Sequence, residues 1–302
     1  MVKIKLSTDM NSWYLKEIGK FFKRSQTYSY KEISKIIKNS LGISYKELLI
    51  TKPNELEKIA KNINQNKPTN FEDDKKTLID VYEKFRNSVS SKNYICKVNL
   101  KVCPYCNRNY IFNFTKNKKE EATAQLDHFI DKSKYPYLSL SLYNLVPSCS
   151  VCNQRKSAQD ILVKPILNPF EDNIHNHISF NSSEIVSRDD LKNKKLDFFS
   201  EERTKITITI NSDDERVEEH LETFNIEGLY NHHTDVVADL YKKRVIYSDG
   251  YIDELLTKYG EIFESRDELI GLITCGYMNE EEVNQRPLSK LIRDISNELG
   301  LI

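Results

Sequence analysis

Apolar residues recur at three- and four-residue spacing through the first part of the chain, which is the pattern of amphipathic helices. The spacing is clearest in residues 30–37, 55–63 and 77–89. The polar stretch 64–74, which contains Pro68, interrupts the pattern and predicts a break between helices. We therefore expect residues 1–95 to form a helical N-terminal region.

The pattern changes after residue 95. Residues 96–165 contain paired cysteines and short β-rich pieces, which predict a compact central module. Residues 166–302 are mainly helical in pattern, clearest at 240–246 and 251–259, with one alternating segment at 205–210 that predicts a strand. The expected fold class is α+β and mostly helical, with helical regions on both sides of the central module.

Charge is distributed unevenly along the chain, although the 45 basic and 45 acidic residues cancel in total. The net charge is +9 over residues 1–100, +5 over 101–168 and −14 over the remainder. This gradient indicates either that the first 170 or so residues meet a polyanion or that both surfaces are ordinary solvated surfaces. The chain has no apolar run of about 18 residues and no secretion signal at its start, so we expect a cytoplasmic protein without membrane contact.

Four of the six cysteines form two Cys-x2-Cys pairs, Cys103 with Cys106 and Cys149 with Cys152. Two such pairs are typical of a tetrahedral zinc site, and four thiolates leave no open position for chemistry. Disulfides are the less favoured alternative in a chain without a secretion signal. The pattern therefore predicts a structural zinc ion, with Cys96 and Cys275 as small buried apolar residues.

The segment around the second pair carries the residues that suggest a function. Its matching elements, in order, are CPYC, LDHF, YNLVPSC and CNQRK, which contain Asp127, His128, Asn144 and Asn153. This segment resembles the HNH nucleases, the zinc-bearing branch of the ββα-metal (His-Me finger) endonucleases. The resemblance covers residues 103–160 and implies a ββα-metal finger stabilised by zinc.

The resemblance gives each of these residues a role that suits its chemistry. His128 is expected to be the general base, and Asp127 and Asn153 are expected to hold Mg²⁺ or Mn²⁺ through oxygen atoms. Asn144 is expected to fix the loop between the strands and to orient His128. Basic side chains at the following helix complete the predicted site, with Arg155 and Lys156 contacting the phosphate backbone.

Other polar residues are open to more than one interpretation. Lys132, Lys134 and Tyr135, in the loop after His128, either touch nucleic acid or belong to a solvated loop. The histidine pairs His175/His177 and His232/His233 have no clear set of companion ligands, and we interpret them as surface polar groups.

The finger and its flanks are similar to the HNH subunit of Septu-type anti-phage systems. That resemblance implies a DNA-cutting subunit that works with an ATPase of the ABC/SMC-like class. Two alternatives remain open from the sequence: a stand-alone HNH restriction enzyme or tRNA-cutting toxin, and a non-catalytic zinc module that binds nucleic acid or a partner. The complete set of Asp127, His128 and Asn153 argues against the non-catalytic module, because a binding protein does not need it.

Overall fold

A computed structural model describes residues 3–182 and 204–302 of the chain. These residues form two compact units. The first unit comprises Lys3–Pro104 and Ile111–Asp172, and the second comprises Tyr105–Tyr110 and the described part of Asn173–Ile302. The architecture is α+β and mostly helical, which confirms the predicted fold class.

The first unit begins with six helices, and local sequence explains where several of them start and stop. The helices are Met10–Arg24 (α1), Tyr30–Leu41 (α2), Tyr45–Leu49 (α3), Pro53–Gln65 (α4), Phe71–Arg86 (α5) and Val89–Val98 (α6). Ser29 and Glu32 form a reciprocal capping box at the start of α2, and Gly42 ends that helix with a φ of 73°. The predicted break is shorter than residues 64–74. Three acidic residues in the first turn of α5 stabilise its positive N-terminus, so that helix already begins at Phe71.

Two antiparallel strand pairs and a short helix follow. The strands are Asn113–Lys116 (β1), Lys119–Ala122 (β2), Gln125–His128 (β3) and Leu145–Ser148 (β4), and the helix is Ser150–Lys156 (α7). β1 pairs with β2, and β3 pairs with β4. The order β3, β4, α7 is the predicted ββα finger.

The N-terminal helices bury the loop that joins β3 to β4. The hydroxyl of Tyr14 on α1 donates to the backbone oxygen of Leu140 at 2.7 Å, and that of Tyr94 on α6 donates to Leu145 at 2.6 Å. Both tyrosines are fully buried. Because their rings fill the core while their hydroxyls satisfy carbonyls of the loop and of β4, these tyrosines hold in place a loop whose regular structure is limited to the 3-10 turns Pro136–Leu138 and Leu142–Asn144.

The second unit contains one strand pair and a set of helices. Its strands are Ile178–Ser182 (β5) and Ile206–Ile210 (β6), and β6 confirms the predicted strand. The helices are Ile174–His177 (α8), Arg216–Phe224 (α9), Ile226–Tyr230 (α10), Thr234–Ile246 (α11), Asp249–Tyr259 (α12), Arg266–Thr274 (α13) and Ser289–Glu298 (α14). The helical pattern predicted at 240–246 and 251–259 is confirmed by α11 and α12.

Three residues outside the finger differ from expectation. Cys275 is exposed rather than buried, because it ends α13 in the left-handed conformation at a φ of 62°, and Cys96 is only half-buried. His175 is buried rather than on the surface, and its Nε2 lies 3.0 Å from the guanidinium of Arg293. Burial lowers the pKa of His175 to about 3, so the ring is neutral, and its Nε2 also lies 3.1 Å from a carboxylate oxygen of Glu280.

Among residues 3–182 and 204–302, no helix is both long enough and apolar enough to cross a lipid bilayer.

Candidate active site

The four cysteines of the two pairs come together, as their spacing predicts. Their sulfur atoms all lie within 4.8 Å of one another, and all four side chains are buried. A tetrahedral zinc ion with Zn–S bonds of about 2.3 Å needs sulfurs about 3.8 Å apart, which this cluster accommodates. The donor set therefore fits a structural metal ion such as zinc.

Backbone amides support negative charge on three of these sulfurs. The amide of Cys149 donates to Cys103 Sγ at 3.4 Å, and the amide of Cys152 donates to Cys149 Sγ at 3.5 Å. A third amide, that of Arg108, donates to Cys106 Sγ at 3.4 Å. Hydrogen bonds to the charged form of a group favour that form, so these amides favour the thiolates that bind metal. Cys149 is also the residue that caps the N-terminus of α7.

Asp127 and His128 are the last two residues of β3. They pair across the sheet with Val146 and Leu145 of β4. Successive side chains on a strand point to opposite faces, so the carboxylate and the imidazole lie on opposite sides of the finger. Both are almost completely buried.

The surroundings of His128 keep its ring neutral and fix its tautomer. Its Nε2 lies 3.0 Å from the backbone oxygen of Ser139, which can only accept, so this nitrogen carries the proton. Burial is the main cause that lowers the pKa of His128 to about 3, and the positive charges of Lys132, Lys156 and Arg86 lower it further. The Nδ1 atom therefore keeps a lone pair that can accept a proton from water.

A tyrosine from the N-terminal helices forms one wall beside the imidazole. Tyr82 on α5 meets the ring of His128 edge-on, with ring centroids 4.2 Å apart and planes at 72°. The Tyr82 hydroxyl donates to the backbone oxygen of Leu126 at 3.4 Å. These contacts attach α5 to the end of β3, so the helical N-terminal region is part of the site.

Asn144 ties together the two ends of the loop between the strands. Its Oδ1 accepts from the amide of Ile130 at 2.7 Å, and its Nδ2 donates to the oxygens of Ile130 and Leu138 at 3.1 Å and 3.0 Å. Leu138 directly precedes Ser139, which holds His128. The side-chain amide of Asn144 therefore restrains the backbone next to the residue that holds the imidazole.

One face of α7 packs against one face of β3. Asn153 Nδ2 donates to Gln125 Oε1 at 2.7 Å, and Lys156 Nζ lies 3.3 Å from Asp127 Oδ1. Residues 125 and 127 share a face of the strand, and residues 153 and 156 share a face of the helix. This packing brings the amide of Asn153 to the side of the finger that carries the Asp127 carboxylate.

Lys156 does not lie where the sequence analysis placed it. Its side chain is fully buried, and its ammonium also donates to the backbone oxygen of His128 at 2.5 Å. A charge held in the interior by Asp127 is not available to a phosphate backbone, so the predicted phosphate contact is not supported. Arg155, one residue earlier, is exposed on α7, as a phosphate contact requires.

Sequence reasoning missed Tyr82 and Ser139. Tyr82 lies in a regular amphipathic helix, where an apolar aromatic residue is ordinary core. Ser139 acts through its backbone oxygen, which the identity of a side chain does not report. Only the fold brings either residue to His128.

Comparison with known proteins agrees with this geometry. Residues 103–159 match the family model for HNH endonucleases. The ββα finger, the four-cysteine cluster and this match define the segment as an HNH endonuclease domain, which confirms the resemblance seen in the motifs.

A longer segment of 113 residues is 31% identical to the Septu protein PtuB of Bacillus thuringiensis. It covers 37% of this chain and 43% of that protein, so the chain matches less than half the length of this relative. The predicted similarity to Septu proteins is confirmed over this segment. No solved structure matches the chain.

Proposed function

We propose that this protein is a metal-dependent HNH endonuclease that hydrolyses phosphodiester bonds in DNA. The observation that carries the proposal is the state of His128: a neutral imidazole, fixed by Ser139 through Nε2, with Nδ1 left to act as a base. Asp127 lies beside it on the same strand, inside a domain that matches HNH endonucleases. A module that only binds a partner has no need of this arrangement.

In the proposed reaction, His128 Nδ1 accepts a proton from the attacking water. The proton on Nε2 stays on that nitrogen and is donated in a hydrogen bond to the backbone oxygen of Ser139, which stabilises the imidazolium that forms. Asn144 holds the loop backbone so that this hydrogen bond keeps its direction. Arg155, exposed on α7, faces solvent where it can contact the phosphate backbone.

Asp127 and Asn153 are proposed to bind the catalytic divalent cation, Mg²⁺ or Mn²⁺. The fit rests on hard oxygen donors that α7 and β3 bring to the same side of the finger. When bound, the cation supplies positive charge against the departing 3′-oxygen. Lys156 holds the Asp127 carboxylate in place, and because it is buried it acts on that carboxylate rather than on substrate.

The biological role that we propose is anti-phage defence, as the nuclease subunit that acts with an ATPase of the ABC/SMC-like class. Similarity to a Septu protein supports this role. The function requires access to nucleic acid inside the cell, so the cytoplasmic location expected from the sequence is part of the proposal. Co-purification of the full chain with an ATPase from its native host would support the subunit role, and activity without any partner would favour a stand-alone enzyme.

A cleavage assay tests the catalytic proposal. Wild type and His128→Ala are compared with Mg²⁺ on plasmid DNA, single-stranded DNA and total tRNA, with and without any co-purifying protein. The matched control is His232→Ala, which removes an exposed histidine outside the finger. We expect DNA cutting by wild type and the control and none by His128→Ala, because the base is absent.

The same assay contains the outcomes that contradict the proposal. Cutting of tRNA alone would move the substrate to RNA. Cutting that survives His128→Ala would remove His128 from the role of base. If no substrate is cut even with the partner present, the catalytic proposal fails.

A further inference from the structure

Two cations lie on the side of the active site that faces α5, and the proposed mechanism gives neither of them a role. Lys132 Nζ lies 4.8 Å from the centre of the Tyr82 ring, and that ring is in edge contact with His128. The ammonium is therefore one aromatic ring away from the proposed base. Arg86 is one helical turn beyond Tyr82 on the same helix, so it lies on the same face.

A single carboxylate lies between these two cations. Glu83 Oε2 is 2.7 Å from Arg86 Nη2, and Glu83 Oε1 is 3.7 Å from Lys132 Nζ. All three side chains are in part exposed to solvent. Two positive charges share one negative charge, so the group keeps a net positive charge at a surface that substrate can reach.

The Lys132 ammonium lies close to the catalytic imidazole, with the Tyr82 ring between them. The scissile phosphate must lie next to the water that His128 activates. A cation held at this edge of the site therefore also acts on a phosphate beside the imidazole.

Neighbouring basic residues do not share this position. Lys134, two residues along the same loop, lies 3.1 Å from Asp160 instead. Lys84, on α5 itself, lies 2.9 Å from Asp80. The structure thus places Lys132 beside Tyr82 and Lys134 beside Asp160, a distinction that the sequence left open. Tyr135 is fully buried, so it cannot be a surface contact.

We infer that Lys132 and Arg86 bind a backbone phosphate of DNA beside the scissile bond, and that Glu83 is the counter-ion which this phosphate displaces. This inference rests on the proposed function and adds a second binding surface, formed by α5 and the loop after β3. A partly exposed ion pair contributes little stability, so a phosphate can replace the carboxylate at small cost. Both cations then contact the substrate by charge, without reading its sequence.

Binding measurements test the inference in chains that cannot cut. Lys132→Gln, Arg86→Gln and Glu83→Gln are made in the His128→Ala chain, and binding of a fluorescein-labelled DNA duplex is followed by anisotropy over a range of salt concentrations. We expect each cation variant to weaken binding roughly threefold to tenfold and to reduce the slope of log K against log salt by about 0.9. Glu83→Gln should tighten binding, because it releases both cations.

Matched controls separate this effect from a general loss of charge or fold. Lys84→Gln removes the same charge from the same helix, and Lys134→Gln removes it from the same loop; neither should change the salt slope. Lys132→Arg keeps the positive charge and should bind as the parent chain does. Loss of binding in Lys132→Arg as well would show that the fold, not the charge, was damaged, and would overturn the inference.

Failure of the inference is distinguishable from failure of the proposed function. If the wild-type chain binds and cuts DNA while Lys132→Gln and Arg86→Gln bind as the parent does, the inference alone is wrong. If the variants lose affinity for an RNA duplex but not for DNA, the assignment to DNA is wrong. If the wild-type chain neither binds nor cuts DNA, both fail together.

Discussion

Two neighbouring residues, Arg155 and Lys156, show how far a residue's type decides its role. Both are basic and both occur in the CNQRK motif, yet the helical rotation between them sends one side chain to solvent and the other into the interior. A buried ammonium is costly unless it is paired. Lys156 meets that requirement with the Asp127 carboxylate and the His128 carbonyl, so the two charges depend on each other.

This dependence predicts the behaviour of Lys156→Met. The variant removes the ammonium that is paired with the buried Asp127 carboxylate, so we expect it to lower the free energy of unfolding by about 3–5 kcal/mol. The double variant Asp127→Asn/Lys156→Met removes both charges and should lose less stability than the single one. Urea unfolding of the full chain measures the difference.

Arg155→Met is the matched control, since it removes an exposed charge from the same helix and should change stability by no more than about 0.5 kcal/mol. If Lys156→Met is instead as stable as wild type and only weakens DNA binding, Lys156 contacts phosphate after all.

At the scale of elements, the sequence predicts what local pattern determines. Spacing of apolar residues correctly indicates the N-terminal helices, β6 and the helices of the second unit. The ββα finger is predicted through the resemblance of its motifs to HNH nucleases, which implies that Asp127–His128 end a strand and that Asn153 lies on the following helix. The contact between Tyr82 and His128 joins residues far apart in the chain, and no local pattern encodes it.

The loop between β3 and β4 is the element whose conformation the site needs most. Asn144→Ala removes three hydrogen bonds and leaves the buried amide of Ile130 without an acceptor. We expect a loss of stability of about 2–3 kcal/mol. Because Leu138 and Ser139 lose their restraint, nuclease activity should fall by about a hundredfold, more than the loss of folded protein explains.

Activity per folded molecule, measured beside urea unfolding, checks this expectation. Asn66→Ala, at an exposed position on the N-terminal side, serves as the control and should leave both quantities unchanged. If Asn144→Ala loses stability but keeps its activity per folded molecule, Asn144 supports the fold without orienting His128.

At the scale of the whole molecule, the spacing of the cysteines predicts which distant segments meet, whereas the distribution of charge does not. The two Cys-x2-Cys pairs correctly indicate one cluster from segments more than forty residues apart, because such matched pairs are typical of four thiolates around one metal. The charge gradient gives no such location. It does not say that Lys132 lies over the Tyr82 ring that contacts His128 while Lys156 is buried, because net charge is summed without regard to packing.

The cysteine cluster predicts that the metal controls activity from a distance. Cys149 is both a member of the cluster and the N-terminal cap of α7, and α7 carries Asn153 and Lys156. Stripping the metal with a strong zinc chelator should therefore release α7 from β3 and abolish cutting, although no catalytic group is touched. Added Mg²⁺ alone should not restore activity, whereas Zn²⁺ followed by Mg²⁺ should. Mass spectrometry measures the metal content, and protease sensitivity of the finger reports the loss of structure.

The control is brief treatment with a weak chelator that removes Mg²⁺ alone, whose effect added Mg²⁺ should fully reverse. Full recovery of the stripped protein with Mg²⁺ alone would show that the cluster does not hold the site together.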